Sequence, residues 1–464
     1  MRCALEEPMH RPTDTPKVGT PLREARALVR TDLARELLSF LSSKSMPLVV
    51  VGDPAKVGQS AANDIDIVVS PLWFDRLSGL LADFAEARGG CLAQMLHHEE
   101  SARYFVLAFW QGSRLGYLKV DACTDYLRRG RLLIRAEDLL DGAELSEFGF
   151  RTPRPEMAFA YYLLKRIEKG NLEAEQFAYL RRLWSREPSK CFQVARSFLG
   201  TADAELIQAA IDSNSFVVIA HNLKRLRRSV RRLDVSLFWA WYRELKRGLR
   251  RVAAPTGLHV CLLGPDGIGK SSVISETREV LKPLFRRVRR YHFRPHFDHE
   301  PKGVGGVPRP HEMKARSPIA SLSKLGYWLL DYWSSYVLRL YWWKAASTLL
   351  LFDRYGEDLL VDSARYRYGG PDWAARAFTA LLPRADVYVF LMAPVEQVLE
   401  RKQELTLDEV QRQLDAYRSL AATLPNARIV DAAWPLDQVC YEVERIIVGE
   451  MNRRTLHRIA ARRS

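Results

Sequence analysis

Apolar positions recur along this chain in two rhythms, short runs of strand type and longer stretches with helical spacing, and their order marks out its segments. The runs Leu48–Val51, Ile65–Val69, Tyr104–Trp110 and Tyr117–Val120 predict strands, with an amphipathic helix ahead of them around Leu33–Leu41. From Pro153 the spacing turns helical. Pro155 stands where a first helical residue belongs, Met157, Tyr161 and Leu164 share a face, and Gly170 supplies a stop. Helical patterning continues to about residue 250 and breaks at Ala253-Ala254-Pro255-Thr256-Gly257. Beyond the break, Leu258–Leu263, Leu349–Phe352, Val387–Met392 and Arg428–Val430 alternate with helical stretches, the signature of a parallel sheet flanked by helices.

These rhythms predict an α/β chain in five parts: a Pro-rich leader over 1–22, an α+β domain over 23–150, a helical segment with a basic linker over 151–252, an α/β domain over 257–450 and a basic tail over 451–464. A length of 464 residues agrees with more than one domain. Apolar residues at 47% and charged residues at 27% exclude a disordered chain. Cys3, Cys91, Cys123, Cys191, Cys261 and Cys440 are scattered without a C-x-x-C pair, so reduced thiols in a cytoplasmic protein are expected. No apolar run at the start reads as a signal peptide. The most apolar stretch, Leu325–Leu338, is interrupted by Asp331 and falls short of the ~18 uncharged residues of a spanning helix.

The strongest chemical signal is Gly264-Pro265-Asp266-Gly267-Ile268-Gly269-Lys270-Ser271, which fits G-x-x-x-x-G-K-[ST] with a strand pattern before it and a helix pattern, Ser272–Leu281, after it. Glycines let the backbone wrap a phosphate so that N–H groups and the helix N-terminus face the anion. The expected nucleotide-binding set is Gly264, Asp266, Gly267, Gly269, Lys270, Ser271 and Ser272, with Lys270 on the β/γ-phosphates and the Ser271 hydroxyl on Mg²⁺. This loop, together with Asp353-Arg354-Tyr355 ending an apolar strand, resembles the thymidylate kinase-like branch of P-loop kinases. The resemblance covers roughly 257–450 and implies ATP and Mg²⁺ as cofactors. It further implies that Asp353 polarises the acceptor or orients the Mg²⁺ shell, that Arg354 contacts phosphates, and that Arg401, in Leu399-Glu400-Arg401-Lys402, closes over ATP as a lid arginine. Ile429-Val430-Asp431-Ala432 with Pro435-Leu436-Asp437 resembles the family's last strand and adenine loop.

The chain departs from that family on the acceptor side. In place of a Glu-Pro-Gly-Gly-type loop it reads Tyr291-His292-Phe293-Arg294-Pro295 followed by the Gly/Pro-rich 301–310, and after Asp-Arg-Tyr come Asp358–Asp362 and Arg365-Tyr366-Arg367. Phosphoryl transfer is therefore expected to a small nucleotide, sugar or sugar-phosphate acceptor, with Arg294, Tyr355, Arg365 and Arg367 as candidate acceptor contacts. The aromatic helix around Tyr327–Trp343 reads as core or domain interface, and Asp331 within it as the partner of a buried arginine.

A second carboxylate constellation lies upstream. Gly52-Asp53 is followed by a spacer, by Asn63-Asp64-Ile65-Asp66-Ile67, and by Asp121 on a later strand. Residues two apart in a strand share a face, so Asp64 and Asp66 point together, and with Asp121 they form a candidate Mg²⁺ site. Over about 46–170 this resembles the nucleotidyltransferase superfamily, with Asp53 in place of the usual small residue.

The leading expectation is thus a kinase fused to a nucleotidyltransferase-like module, a pairing associated by resemblance with surface-polysaccharide metabolism. The alternatives are a nucleic-acid end-processing kinase/nucleotidyltransferase and a nucleotide-gated binding protein with degenerate sites. The net charge of +15 does not decide among them, because all but one of those charges fall in 224–251, with eleven basic residues against Asp234 and Glu244, and in 451–464, with five arginines and no acid. Leu237, Trp241 and Leu245 give the linker helix an apolar face suited to a domain joint, an anionic membrane or a polyanion.

Overall fold

Strands buried on both faces need no polar alternation, and the apolar runs of this chain become such strands. The computed structural model describes residues 20–57, 64–99, 101–128, 131–231, 237–295, 313–401 and 406–461; the expected leader up to residue 19, Asn63, the segment 301–310 and Lys402 lie outside them. The N-terminal unit runs α1 (Thr20–Ser43), β1 (Leu48–Val50), β2 (Ile65–Val69), α2 (Pro71–Glu86), β3 (Gly90–Glu99), β4 (Ala102–Gln111) and β5 (Arg114–Cys123), with sheet order β1-β2-β5-β4-β3. Only β2 and β5 pair in parallel, which sets Asp66 directly beside Asp121. Ile65, Ile67 and Val69 pack with Leu37 and Leu41 of α1 and with Leu77, Leu81 and Phe84 of α2. The opposite face is shared: Val49 and Val68 join the helical segment, whereas Ala93, Val106 and Ala108 join the core of the C-terminal unit.

Short elements lead onward: β6 (Tyr126–Arg128), β7 (Arg131–Ile134), α3 (Ala136–Leu140), β8 (Glu144–Leu145) and β9 (Arg151–Thr152). The helical segment comprises α4 (Pro155–Lys169), α5 (Ala174–Arg186), α6 (Pro188–Leu199), α7 (Thr201–Asp212), α8 (Phe216–Arg231) and α9 (Leu237–Ala253). Pro155 is in the first turn of α4, and Gly170 closes it in the left-handed region at φ 73°. The basic residues of α8 are partly structural. Arg225 pairs with Asp203 at 2.7 Å, and Arg227 donates to the Ile167 and Glu168 carbonyls. On α9 the side chains of Leu237 and Trp241 lie outside the described residues, and Leu245 is exposed.

The C-terminal unit runs β10 (Leu258–Leu263), α10 (Lys270–Leu281), β11 (Arg287–His292), α11 (Pro318–Ser335), a π-helical turn (Tyr336–Leu340), α12 (Tyr341–Ala345), β12 (Thr348–Asp353), α13 (Asp358–Val361), α14 (Asp372–Ala380), β13 (Val387–Met392), α15 (Val395–Arg401), α16 (Leu407–Thr423), β14 (Ala427–Asp431) and α17 (Leu436–Ala460). Every described pairing in its sheet, ordered β11-β12-β10-β13-β14, is parallel. The connections reverse direction around β10, so a crevice opens beyond the carboxyl ends of β10, β12 and β13. Residues 451–460, in the stretch expected as a basic tail, continue α17. Met451, Thr455 and Ile459 are buried, because this end of the helix docks on β3 and the Thr455 hydroxyl donates to the Ala93 carbonyl at 3.2 Å. The buried Gln94 completes the joint by donating to the carbonyls of Thr256 and Leu284, at 3.0 and 3.3 Å.

Candidate active site

The loop between β10 and α10 is shaped by glycine. Gly264 has φ 149°, and a Cβ there would lie 2.7 Å from the Leu391 carbonyl, so strand β13 can pass only if this residue has no side chain. Gly269, at φ 100°, starts α10 with its N-terminus open to the crevice. The Lys270 ammonium donates to the Gly264 and Pro265 carbonyls, at 2.8 Å each. Burial first, and then the Arg354 guanidinium, lower its pKa to about 7.

Strand β12 delivers Asp353 to the same crevice. The Ser271 hydroxyl donates to Asp353 Oδ2 at 2.9 Å, and Arg290 of β11 donates to both oxygens, at 2.7 Å to Asp353 and 3.0 Å to Ser271. Burial alone would raise the Asp353 carboxyl, but Lys270, Arg290 and His292 hold it below the usual carboxylate range. Two hard oxygens at the start of α10 suit Mg²⁺. Ser271 and Asp353 are the residues here that would hold that ion.

Arg354 follows in the left-handed region, at φ 71°, with its N–H donating to the Leu262 carbonyl at 3.0 Å. A non-glycine residue is strained there, and here the strain serves position. The guanidinium is buried between Asp266 of the loop and Asp358 of α13. Asp358 also accepts from the Tyr366 hydroxyl at 2.7 Å and from that of Tyr417. Arg365 reaches Asp266 from the other side. Burial would raise the Asp266 carboxyl, yet Arg354, Arg365 and Lys270 together hold it well below its ordinary value. Asp266 thus gathers two arginines at the mouth of the phosphate loop. Sequence reasoning gave no role to Arg290 or Asp358; the spacing of Asp358 four residues after Arg354 was the one available signal.

Arg401 is in the last turn of α15 and donates to the Ile268 and Ala432 carbonyls, each at 3.3 Å. It bridges the phosphate loop and the residue after β14. Tyr355 is corrected from acceptor contact to core residue. It is 1% exposed, packs edge-on against Phe352 and Tyr332, and spends its hydroxyl on the Pro383 carbonyl at 2.7 Å. Arg294 pairs with Asp331 at 3.3 Å, as expected for that acid, and its guanidinium lies 5.8 Å from the Trp328 ring centre. Arg367 (φ 53°) donates to the Lys314 carbonyl at 3.1 Å. Arg316 donates to the Tyr366 carbonyl at 2.8 Å, and the Lys324 ammonium sits 4.8 Å over Trp328. Partial burial, and then Arg316, Arg294 and Arg367, push Lys324 down to about 8, the mark of a cluster of like charges.

The N-terminal carboxylates are arranged differently. The Lys165 ammonium of α4 sits 2.6 Å from Asp66 Oδ2, and Asp64 accepts from the Tyr104 hydroxyl at 3.1 Å. Burial, then Asp66, raise Asp121 to about 6. Asp53, where the resemblance implies a small residue, is half-buried and paired with Arg182 at 2.8 Å. Among the described residues no group of three His, Cys, Asp or Glu could hold a metal ion. The three expected carboxylates do lie near one another, since Asp66 pairs in register with Asp121 and both Asp66 and Asp64 raise the Asp121 carboxyl, with the Lys165 ammonium against Asp66. No helix is long and apolar enough to cross a membrane among the described residues.

No protein-family model matches the chain, and no curated protein matches it. Among solved structures it is similar to a thymidylate kinase from Candida albicans, at 17% identity over 42% of this chain and 93% of that one, with a TM-score of 0.32.

Proposed function

We propose that the chain is an ATP- and Mg²⁺-dependent phosphotransferase whose acceptor is small and bears an anionic group. The observation that supports it most is the convergence of Lys270, Ser271, Asp353 and Arg354 around a glycine-shaped loop at the mouth of a parallel sheet. Phosphoryl transfer asks for positioning and charge neutralisation rather than covalent chemistry. The N–H groups of the loop and the Lys270 ammonium bind the β- and γ-phosphates. Mg²⁺, when bound, supplies further neutralisation of phosphate oxygens and would be held by Ser271 and Asp353. Arg354 and Arg365, now on Asp266, face the phosphate loop with charge to offer the transferring group. Arg401 holds the loop against the adenine side of the crevice.

On the acceptor side, Arg294, Arg316, Lys324 and Arg367 gather around Trp328 and Tyr366 with Asp331 as the carboxylate among them. That excess favours a phosphorylated acceptor, a sugar phosphate or nucleotide, over a neutral hydroxyl compound. The N-terminal unit is proposed as a nucleotidyltransferase-like module that contributes shape more than chemistry, since Lys165 neutralises Asp66. Nucleic-acid end-processing is the lesser alternative.

The test is a transfer assay with γ-labelled ATP and paired phosphorylated and neutral acceptors, with α-labelled nucleotides run in parallel. Label passing to phosphorylated acceptors only, and lost with Lys270→Ala, is expected. Transfer that survives Lys270→Ala overturns the assignment of the site.

A further inference from the structure

A helix on a protein surface normally turns its apolar stripe inward, and the buried side of α11 does so through Leu325, Trp328 and Tyr332. Its outer side is apolar as well. Ile319, Tyr327, Leu330, Val337, Leu338 and Trp342 are all exposed, Ile319 and Leu330 by more than 70%. From Ile319 to Trp342 this stripe runs about 34 Å at the helical rise. The π-helical turn at Tyr336–Leu340 widens the winding, so Leu338 and Trp342 come round to the outer side beneath Leu330 instead of rotating away. Trp333 extends the patch sideways, its indole N–H donating to the Leu381 carbonyl at 2.9 Å, and both residues are exposed. Contiguous apolar surface on this scale marks a contact site.

The charge around the stripe says what kind. Between residues 313 and 346 the one acid, Asp331, is held by Arg294, and of the five basic residues Lys344 is buried on Asp386, which leaves Lys314, Arg316, Lys324 and Arg339. Lys314, Arg316 and Lys324 flank the N-terminal end. At the other end the Tyr341 hydroxyl donates to the Val252 carbonyl at 2.6 Å, which brings in the last turns of α9 with exposed Lys246, Leu249 and Arg250. Neighbouring α14 adds exposed Trp373 and one charge of each sign, Asp372 and Arg376. An apolar helix face rich in Trp and Tyr and rimmed by Lys and Arg is suited to lie in the headgroup region of an anionic bilayer. A second copy of the chain would bring the same positive rim against itself, which disfavours self-association through this face.

We infer that the face formed by α11, the π-helical turn and α12, with the end of α9 beside it, docks on an anionic membrane surface without spanning it. The inference stands on surface chemistry and does not require the kinase reading to be right.

Co-sedimentation of the full chain with phosphatidylcholine vesicles, with and without phosphatidylserine, tests it, alongside sedimentation velocity for oligomeric state. Binding to the phosphatidylserine vesicles should exceed binding to neutral ones by about tenfold and weaken with salt. Leu330→Glu with Leu338→Glu should abolish it. Lys246→Glu with Arg250→Glu should reduce it several-fold, and the milder Leu330→Ser should reduce it while the circular dichroism spectrum is kept. Three results overturn the inference: no preference for anionic vesicles, binding that survives the double glutamate variant, or a wild-type dimer that the glutamate variant dissociates while no vesicles are bound.

Discussion

Asp353 closes strand β12 and Asp66 sits within β2, and each has a cation against it, yet the two carboxylates are held in different ways. At Asp353 the cations are Arg290, from an edge strand, and Lys270, whose own bonds are to loop carbonyls. Neither belongs to Asp353 alone, and both can turn to an incoming phosphate. At Asp66 the cation is Lys165, buried in the middle of α4 and fixed by the packing of the helical segment. The difference is one of commitment. The partners of Asp353 are ones that a ligand can compete for, whereas Asp66 is paired by a lysine whose stem is packed within the helical segment.

Lys270→Ala should widen the gap most. It removes the ammonium on the phosphates, and kcat/KM for phosphotransfer is expected to fall about a thousandfold or more with the melting temperature little changed. A fall below tenfold would place the phosphate site elsewhere. The mirror experiment is Asp66→Asn, which leaves the Lys165 ammonium buried without its carboxylate. Breaking a buried pair on one side costs about 3 kcal/mol at full burial, and the partly open Asp66 brings this to about 2. Denaturant unfolding should show that loss while phosphotransfer per folded molecule holds. If Asp66→Asn abolishes a nucleotidyl transfer and leaves stability intact, the N-terminal site is catalytic after all.

Arg365→Ala tests whether the pair on Asp266 is exchangeable. Arg354 still holds Asp266 in that variant, so stability should change by less than about 1 kcal/mol. The Michaelis constant for the acceptor is expected to rise roughly tenfold, with that for ATP moving less. Equal effects on both substrates would make Arg365 part of the nucleotide site.

Legibility in the sequence followed burial. Strands β2, β10 and β13 are fully or nearly fully buried apolar runs, and the structure gives them the bounds their composition predicts. Strand β11 reads Arg-Val-Arg-Arg-Tyr-His because it is an edge strand with one side on the crevice, and no apolar rhythm announces it. Strand β3 was equally silent, since its central Gln94 is buried for the sake of the domain joint. At the site, the phosphate loop was legible because its geometry demands glycine. Arg290 and Asp358 were not, because their roles arise from strand order and a helix packing far along the chain. Tyr355 misled for the opposite reason: motif adjacency says nothing about which side of a strand end a ring takes. The last helix misled likewise, since Arg453, Arg454 and Arg458 conceal the buried stripe Met451, Thr455 and Ile459 between them.

The smallest expected effect concerns the joint that keeps the two regions together. Glu444 of α17 is 4% exposed against the N-terminal sheet, close to Tyr117, and burial raises its pKa from the ordinary 4.5 to about 7. The folded state therefore binds the proton more tightly than the unfolded chain between those values. Stability contributed by the neutral carboxyl is complete below pH 4.5 and is lost as pH rises toward 7. Glutamine keeps the shape and removes the charge. Glu444→Gln should thus be more stable than the parent at pH 8 by on the order of 1 kcal/mol or more, and equal to it near pH 4.5. Thermal melts of both proteins across that range measure the difference. A gap that stays constant with pH would mean the substitution acts through packing and that the joint tolerates an ionised Glu444, in which case the two units are less tightly sealed than their shared core implies.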